Sequence, residues 1–429
     1  MLIDLDVMPP RPPAEPAPLR ERLRPPRPAI VLAVLIAVLL TMAGAVPPEP
    51  AMIPVLSAGG TAAAAFELGP DALYTASFGQ NPNNESGVRR YDLRTGVPAW
   101  AAAVPQNVQA LTLDAESGVL LARSGSDPRM TFLDAAGGDL LWHLESPGTS
   151  AVVLAGGRVL LRTDRGRDME LKVADARTGA ALWQRILDGR SELRDDAFGA
   201  GPPRRIVVVG HDGHVTSLDF ADGRVLGEGD LGVRLPAESG GSGLPDYAGV
   251  DVAGDRLYVS RRADGRVSLS AYRLPALTLD WRATGGPVGT VYDCGPVLCI
   301  SDTRWVTGLD RADGSVLWSD PEWVAAGATR DGRLVASTQA ENPEVVELDP
   351  FSGKVLRRLG HTYFVGDVQL RGDTKIAGRT WVSVTGSDGA ARTVGSLDTA
   401  APYGCEAEGA YLACPTTPGP TGVWRLPLT

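Results

Sequence analysis

The strongest constraint on this chain is a short repeat: an apolar alternating run, an Asp, a Gly four residues later and a Trp four residues after that. It is complete in YDLRTGVPAW (Asp92, Gly96, Trp100), LDAAGGDLLW (Asp134, Gly138, Trp142), ADARTGAALW (Asp175, Gly179, Trp183) and LDRADGSVLW (Asp310, Gly314, Trp318). Three further copies are degenerate. LDFADGRVLG keeps Asp219 and Gly223 with Gly227 in place of Trp, YRLPALTLDW keeps Trp281 but has Arg273 and Leu277, and LDPFSGKVLR keeps Asp349 and Gly353 with Arg357 in place of Trp. Weaker traces are VTGSDGAART (Thr385, Gly389) and the terminal WRLPLT. The copies recur about every 40 residues, the period of one propeller blade or one solenoid unit.

The physics of the unit follows from its residues. Runs such as VRRYDL and VTSLDF alternate with period two, as a half-buried strand does. The Asp-x-x-Thr/Asp-Gly stretch is a tight turn in which the carboxylate bonds nearby amides and Gly takes a positive φ. The following strand carries the Trp. Upstream lies another strand pair joined at Gly or Asp, so each unit supplies four short antiparallel strands. Such a small sheet cannot bury both faces alone; its neighbours must stack on it, and closing the ring removes most exposed edges. Helical periodicity is almost absent after residue 50.

The copies resemble the A-x-D-x-x-T-G-x-x-x-W repeat of the pyrroloquinoline-quinone-type β-propellers, and Ala174, Asp175, Thr178, Gly179 and Trp183 match it at every position. The resemblance covers roughly residues 60–429. It implies an all-β propeller of four-stranded antiparallel blades, in which Trp100, Trp142, Trp183, Trp281 and Trp318 pack between adjacent blades. Eight blades are expected, with seven or nine as the alternatives. An early strand such as Ala62–Leu68 is expected to complete the last blade and close the ring.

The N-terminus is of another kind. Residues 1–28 are rich in Pro and Arg and form a tail from which no core can be built, whereas Ala29–Val46 is free of charge and, at 1.5 Å per residue, spans nearly a bilayer core. The expected organisation is a cytoplasmic tail (1–28), a transmembrane signal anchor (29–46), a linker (47–60) and the propeller (61–429). Arg20, Arg22, Arg24 and Arg27 before the helix place the tail in the cytoplasm and the propeller outside the membrane. A cleaved signal peptide ending near Ala43-Gly44-Ala45 is the alternative. Cysteine usage agrees with export: Cys294/Cys299 and Cys405/Cys414 are two close pairs, read as disulfides across local hairpins rather than as metal ligands, whose knuckle spacing they lack.

Catalytic signatures are sparse. Relatives of this type include quinone-dependent dehydrogenases, which the resemblance describes as longer chains with a disulfide between adjacent cysteines, a calcium site and an Asp base; this sequence has no adjacent cysteines. The repeat's Asp residues are each required by a turn. His211-Asp-Gly-His214 reads as a hairpin turn before it reads as a metal site, and His143 and His361 stand alone. Arg371-Gly372-Asp373 is an adhesion tripeptide by letter only, and Asn84-Glu85-Ser86 is a formal sequon. A net charge of -10, with only Lys172, Lys354 and Lys375 among 41 basic residues, argues against nucleic acid as a partner. The long insertion at residues 235–249 is a candidate contact loop. No catalytic, cofactor or metal residue is expected. The expected function is a non-catalytic binding or scaffold module for another envelope protein or an extracellular ligand, with the propeller lipoprotein of outer-membrane barrel assembly as an analogue, although no cysteine follows the apolar segment to take a lipid. The alternatives are a quinone-dependent oxidoreductase and an extracellular sensor.

Overall fold

The computed structural model describes residues 52–427, apart from 59–62, 78–85, 105–106, 126–127, 167, 188–190, 196–202, 236–246, 302–304, 330–331, 340–342, 373–377, 387–389, 399–401 and 417–418. The tail, the apolar segment 29–46, the sequon Asn84 and most of the 235–249 insertion lie outside the described residues. Among those described, no helix is long and apolar enough to cross a membrane.

The described strands form nine four-stranded antiparallel sheets. Eight are consecutive meanders. Blade 1 is Ala63–Leu68, Ala72–Ser77, Ser86–Asp92 and Pro98–Val104, and blades 2 to 8 follow over 110–145, 149–187, 191–230, 247–284, 290–320, 325–360 and 362–398. The ninth is composite. Glu406–Glu408, Tyr411–Pro415 and Thr421–Arg425 are joined on the outside by Ile53–Ala58, which runs antiparallel to Thr421–Arg425 from Ile53↔Arg425 to Ala58↔Thr421. The blade number is therefore nine, not eight. The closing strand is Ile53–Ala58, inside the stretch read as a linker, and the segment expected to close the ring instead opens blade 1. The expectation of eight followed the family resemblance; the weak traces at Thr385 and at the terminal WRLPLT lie in blades 8 and 9.

First strands adjoin between blades 1 and 2, 2 and 3, 4 and 5, 5 and 6, 6 and 7, and 9 and 1, so these strands face the inside of the ring. The core is divided among the seams. Separate apolar clusters join blades 1 and 2, 2 and 3, 3 and 4, 4 and 5, 5 and 6, 6 and 7, 8 and 9, and 9 and 1. This is what a narrow sheet needs: each middle strand buries both faces, as in Val119–Leu121 or Ile206–Val209, against the blade on either side. Among the described residues no such cluster joins blades 7 and 8.

Candidate functional site

The repeat residues meet at the seams. In each turn the Asp Oδ1 accepts amides of its own loop: Asp92 from Thr95 N (2.7 Å), Asp134 from Gly137 N (2.8 Å), Asp175 from Thr178 N (2.8 Å), Asp219 from Ala221 N (2.8 Å), Asp310 from Ala312 N (2.7 Å) and Asp349 from Ser352 N (2.8 Å). The backbone amide of the Gly four residues on donates to the same Asp's carbonyl at 2.8–2.9 Å. Gly96, Gly138, Gly179, Gly223, Gly314 and Gly353 hold φ between 66° and 79°. Hydrogen bonds that favour the charged form hold the Asp92, Asp134, Asp175 and Asp349 carboxyls below the ordinary aspartate value: chiefly from the Thr95, Thr178 and Ser352 side chains for Asp92, Asp175 and Asp349, and from Arg177 for Asp134.

Each indole of the five repeat tryptophans lies on the turn of the next blade. Trp100 Nε1 donates to Ala135 O (3.2 Å), Trp142 to Ala176 O (2.8 Å), Trp183 to Phe220 O (3.0 Å), Trp281 to Arg311 O (3.1 Å) and Trp318 to Pro350 O (2.8 Å). The acceptor is always the residue after the turn's Asp, or Arg311 after Asp310 in the same register. The ring itself covers the turn's glycine: a Cβ on Gly138, Gly179, Gly223 or Gly353 would stand 2.6–2.8 Å from the indole of the preceding blade. Tyr74 adds a second donor to Ala135 O (3.1 Å), and Phe132 stacks on Trp142 with ring centroids 3.8 Å apart.

The degenerate copies are complementary. Gly227 stands at the Trp position of blade 4, and the turn it faces in blade 5 is the one in which Pro275, Ala276 and Leu277 replace the usual residues. A Cβ on Gly227 would run into the Pro275 carbonyl oxygen, while Leu277, at φ 54°, packs its side chain on Gly229. The lost indole and the unusual turn thus belong to one seam. At the ring closure Leu56 of Ile53–Ala58 takes the equivalent place, and the carbonyl of Val55 lies over Gly96.

Both cysteine pairs are disulfides, Cys294–Cys299 across the first hairpin of blade 6 and Cys405–Cys414 across that of blade 9. His211 and His214 flank the hairpin turn at Gly213; His211 Nδ1 is 3.4 Å from Leu235 O. Among the described residues no group of three or more His, Cys, Asp or Glu is placed to hold a metal.

Sequence reasoning missed a second set of seam contacts on the inner strands. Glu406 Oε2 accepts Leu68 N (2.8 Å) from blade 9 to blade 1, Glu67 Oε1 accepts Leu113 N (3.2 Å) from blade 1 to blade 2, and Asp251 Oδ2 accepts Val291 N (2.9 Å) from blade 5 to blade 6. An inner strand has no partner strand on one edge, and these side chains satisfy its amides. The cost is electrostatic. Burial, then the neighbouring Glu406 charge, pushes the Glu67 carboxyl up to about 7, and burial raises Glu406 as well. The available signal was a lone acid in an otherwise apolar first strand, as in AAAFEL or YAGVDVA.

With this geometry in place, the comparison with known families is specific over part of the ring. Residues 84–262 match the family model described as outer membrane protein assembly factor BamB. Over those residues the chain carries PQQ-like β-propeller repeats. That match covers most of blades 1 to 5, where the Asp-Gly-Trp turns are densest. No curated protein matches the sequence. Among solved structures, BamB from Moraxella catarrhalis is similar at 16% identity and a TM-score of 0.45, covering 86% of this chain and 99% of that one. The computationally designed Ika8 protein is similar at 14% identity and 0.45 (87% and 99%), and a europium-containing methanol dehydrogenase at 13% identity and 0.41 (86% and 84%).

Proposed function

We propose that this PQQ-like repeat protein is a non-catalytic, membrane-anchored scaffold whose propeller lies outside the cytoplasmic membrane and binds another protein of the envelope. The observation that carries the reading is a belt of exposed apolar side chains on the outer strands. Leu140 of blade 2, Leu279 of blade 5, Val316 of blade 6 and Val355 of blade 7 occupy the same repeat position, two residues before the Trp or its replacement, and are 39–59% exposed. Blade 7 adds Phe351 and Leu356, both above 60%. An outer strand also offers its unpaired backbone edge. Grouped apolar side chains beside such an edge are what a protein partner covers.

Three further points support it. The repeat's acidic residues are engaged by their own turns, which gives each a structural reason to be there. The disulfides suit an oxidising compartment. The family model that matches residues 84–262 is described as an outer membrane protein assembly factor. The N-terminal segment 29–46 would hold the propeller to the membrane with the tail 1–28 in the cytoplasm.

The test is to extract the full chain from its native membrane under mild detergent and examine what accompanies it. The reading expects an envelope protein in fixed stoichiometry. A tightly bound quinone with redox-dependent absorbance, and no protein partner, would sink it and favour an oxidoreductase.

A further inference from the structure

The seam between blades 7 and 8 differs from the others, and the difference is independent of the protein-docking belt. Arg357 stands where five seams have an indole, and its guanidinium turns back to Glu347 of its own blade (2.7 Å). No apolar cluster among the described residues joins these two blades. Instead they enclose a cleft of about 580 Å³, within the size range of small-molecule sites.

The lining is chemically specific. Blade 7 contributes Glu344 and Arg358, which pair with each other at 2.9 Å. Blade 8 contributes Arg371 and Trp381, directly opposite one another in register on its second and third strands and therefore on one face. His361 lies between, its Nδ1 3.3 Å from Pro343 O. Arg358 is already neutralised by Glu344, whereas exposed Arg371 has no carboxylate partner among the described residues. The cleft therefore presents one unspent guanidinium beside one half-buried indole. A guanidinium recognises a carboxylate through two parallel hydrogen bonds, and an indole face recognises a flat apolar surface.

We propose that this cleft binds a small ring-bearing monocarboxylate, an acidic sugar or an aromatic acid, with Arg371 taking the carboxylate and Trp381 the ring. Such a ligand would supply the seam with the apolar contact and charge balance that its own residues leave out.

The experiment uses the full chain in detergent and two probes, glucuronate and benzoate, with glucose and benzyl alcohol as neutral counterparts. Binding is followed by calorimetry and by saturation-transfer NMR on the probe. Saturable binding of either carboxylate is expected, with its neutral counterpart weaker by tenfold or more. Arg371→Ala is expected to weaken the carboxylate by roughly tenfold to a hundredfold, as loss of a charged hydrogen-bond pair does, and Arg371→Lys by less. The Arg371 side chain is exposed, so these variants should melt as the parent does. A second variant, Trp381→Phe, should retain part of the affinity. Preference for glucuronate assigns an acidic sugar, and preference for benzoate an aromatic acid. No saturable binding of either probe, equal binding of the neutral counterparts, or affinity unchanged by Arg371→Ala overturns the proposal.

Discussion

Replacing the turn glycine Gly223 by Ala should be far more costly than an ordinary Gly→Ala change, and the structure divides the cost in two. The first part is conformational. Gly223 sits at φ 70°, where an L-residue pays about 1–2 kcal/mol. The second is steric, because the new Cβ would stand 2.6 Å from Trp183 Cδ2. That indole is 9% exposed and bonded to Phe220 O, so it has little room to withdraw, and overpacking of this kind costs about 1–3 kcal/mol. The sum is about 2–5 kcal/mol. Gly254 is the internal control: it holds φ 62° with nothing within 4 Å of an added Cβ, so Gly254→Ala should show the conformational part alone. Urea unfolding of the full chain, followed by tryptophan fluorescence and by hydrogen exchange over 214–230, gives both values. Gly223→Ala in a Trp183→Ala background should lose most of its steric part, a coupling of at least about 1 kcal/mol for residues in contact. Equal costs at Gly223 and Gly254, or strict additivity with Trp183→Ala, would refute the claim that the indole is seated on the next blade's turn.

Other outcomes follow from the seams. Glu67 has its carboxyl pushed from 4.5 to about 7 in the folded ring, so the native state holds more protons than the unfolded one between those values. Its contribution is fully present below about 4.5 and is lost as pH rises through 7, by about 3 kcal/mol. Glu67→Gln keeps an acceptor for Leu113 N and should raise stability at pH 8 while flattening that slope in pH-dependent urea titrations. On the acid side the sign reverses. The lowered Asp92, Asp134, Asp175 and Asp349 carboxyls stabilise above the ordinary aspartate value, and that stability falls away as pH drops through their folded values, visible as a lower thermal midpoint near pH 3 that Asp175→Asn shares at neutral pH. Reducing the disulfides should cost about 2–3 kcal/mol each, as closing short loops implies, and Cys405→Ser, beside the closing blade, should expose Thr421–Arg425 to hydrogen exchange before blades 2 to 4.

The part of the ring legible in the sequence is the part where a residue type is needed for geometry. Only Gly takes the turn's positive φ without penalty and only a flat indole covers it while donating to a carbonyl, so Asp175, Gly179 and Trp183 announce a blade. Where another residue solves the same problem the signal disappears. Leu56, Gly395 and Arg357 stand at Trp positions in blades 9, 8 and 7, and blade 9 borrows its outer strand from Ile53–Ala58, more than 360 residues away in sequence from its partner. That long-range pairing left no local pattern, so the closing strand was placed one strand too late, while the figure of eight blades came from the family resemblance. Gly227 and Leu277 looked like decay when read separately; the structure joins them in one seam. The inner-strand acids Glu67, Asp251 and Glu406 stand out only as acids in the first strands of their blades, and their partners stay hidden because period-two alternation says which face a residue occupies and nothing about which blade's amide it meets. The cleft beside Arg371 and Trp381 is likewise a product of how two blades adjoin.

The protein-binding reading is tested most directly by placing a photo-crosslinking residue at Leu356, on the apolar belt, and at exposed Arg266, away from it, in the full chain in its native membrane. The account expects one dominant adduct from Leu356, with the same envelope protein, that is absent from Arg266 and is lost when Leu279 and Val316 are changed to Ser. Diffuse and equal labelling from both positions, unaffected by those substitutions, would contradict it.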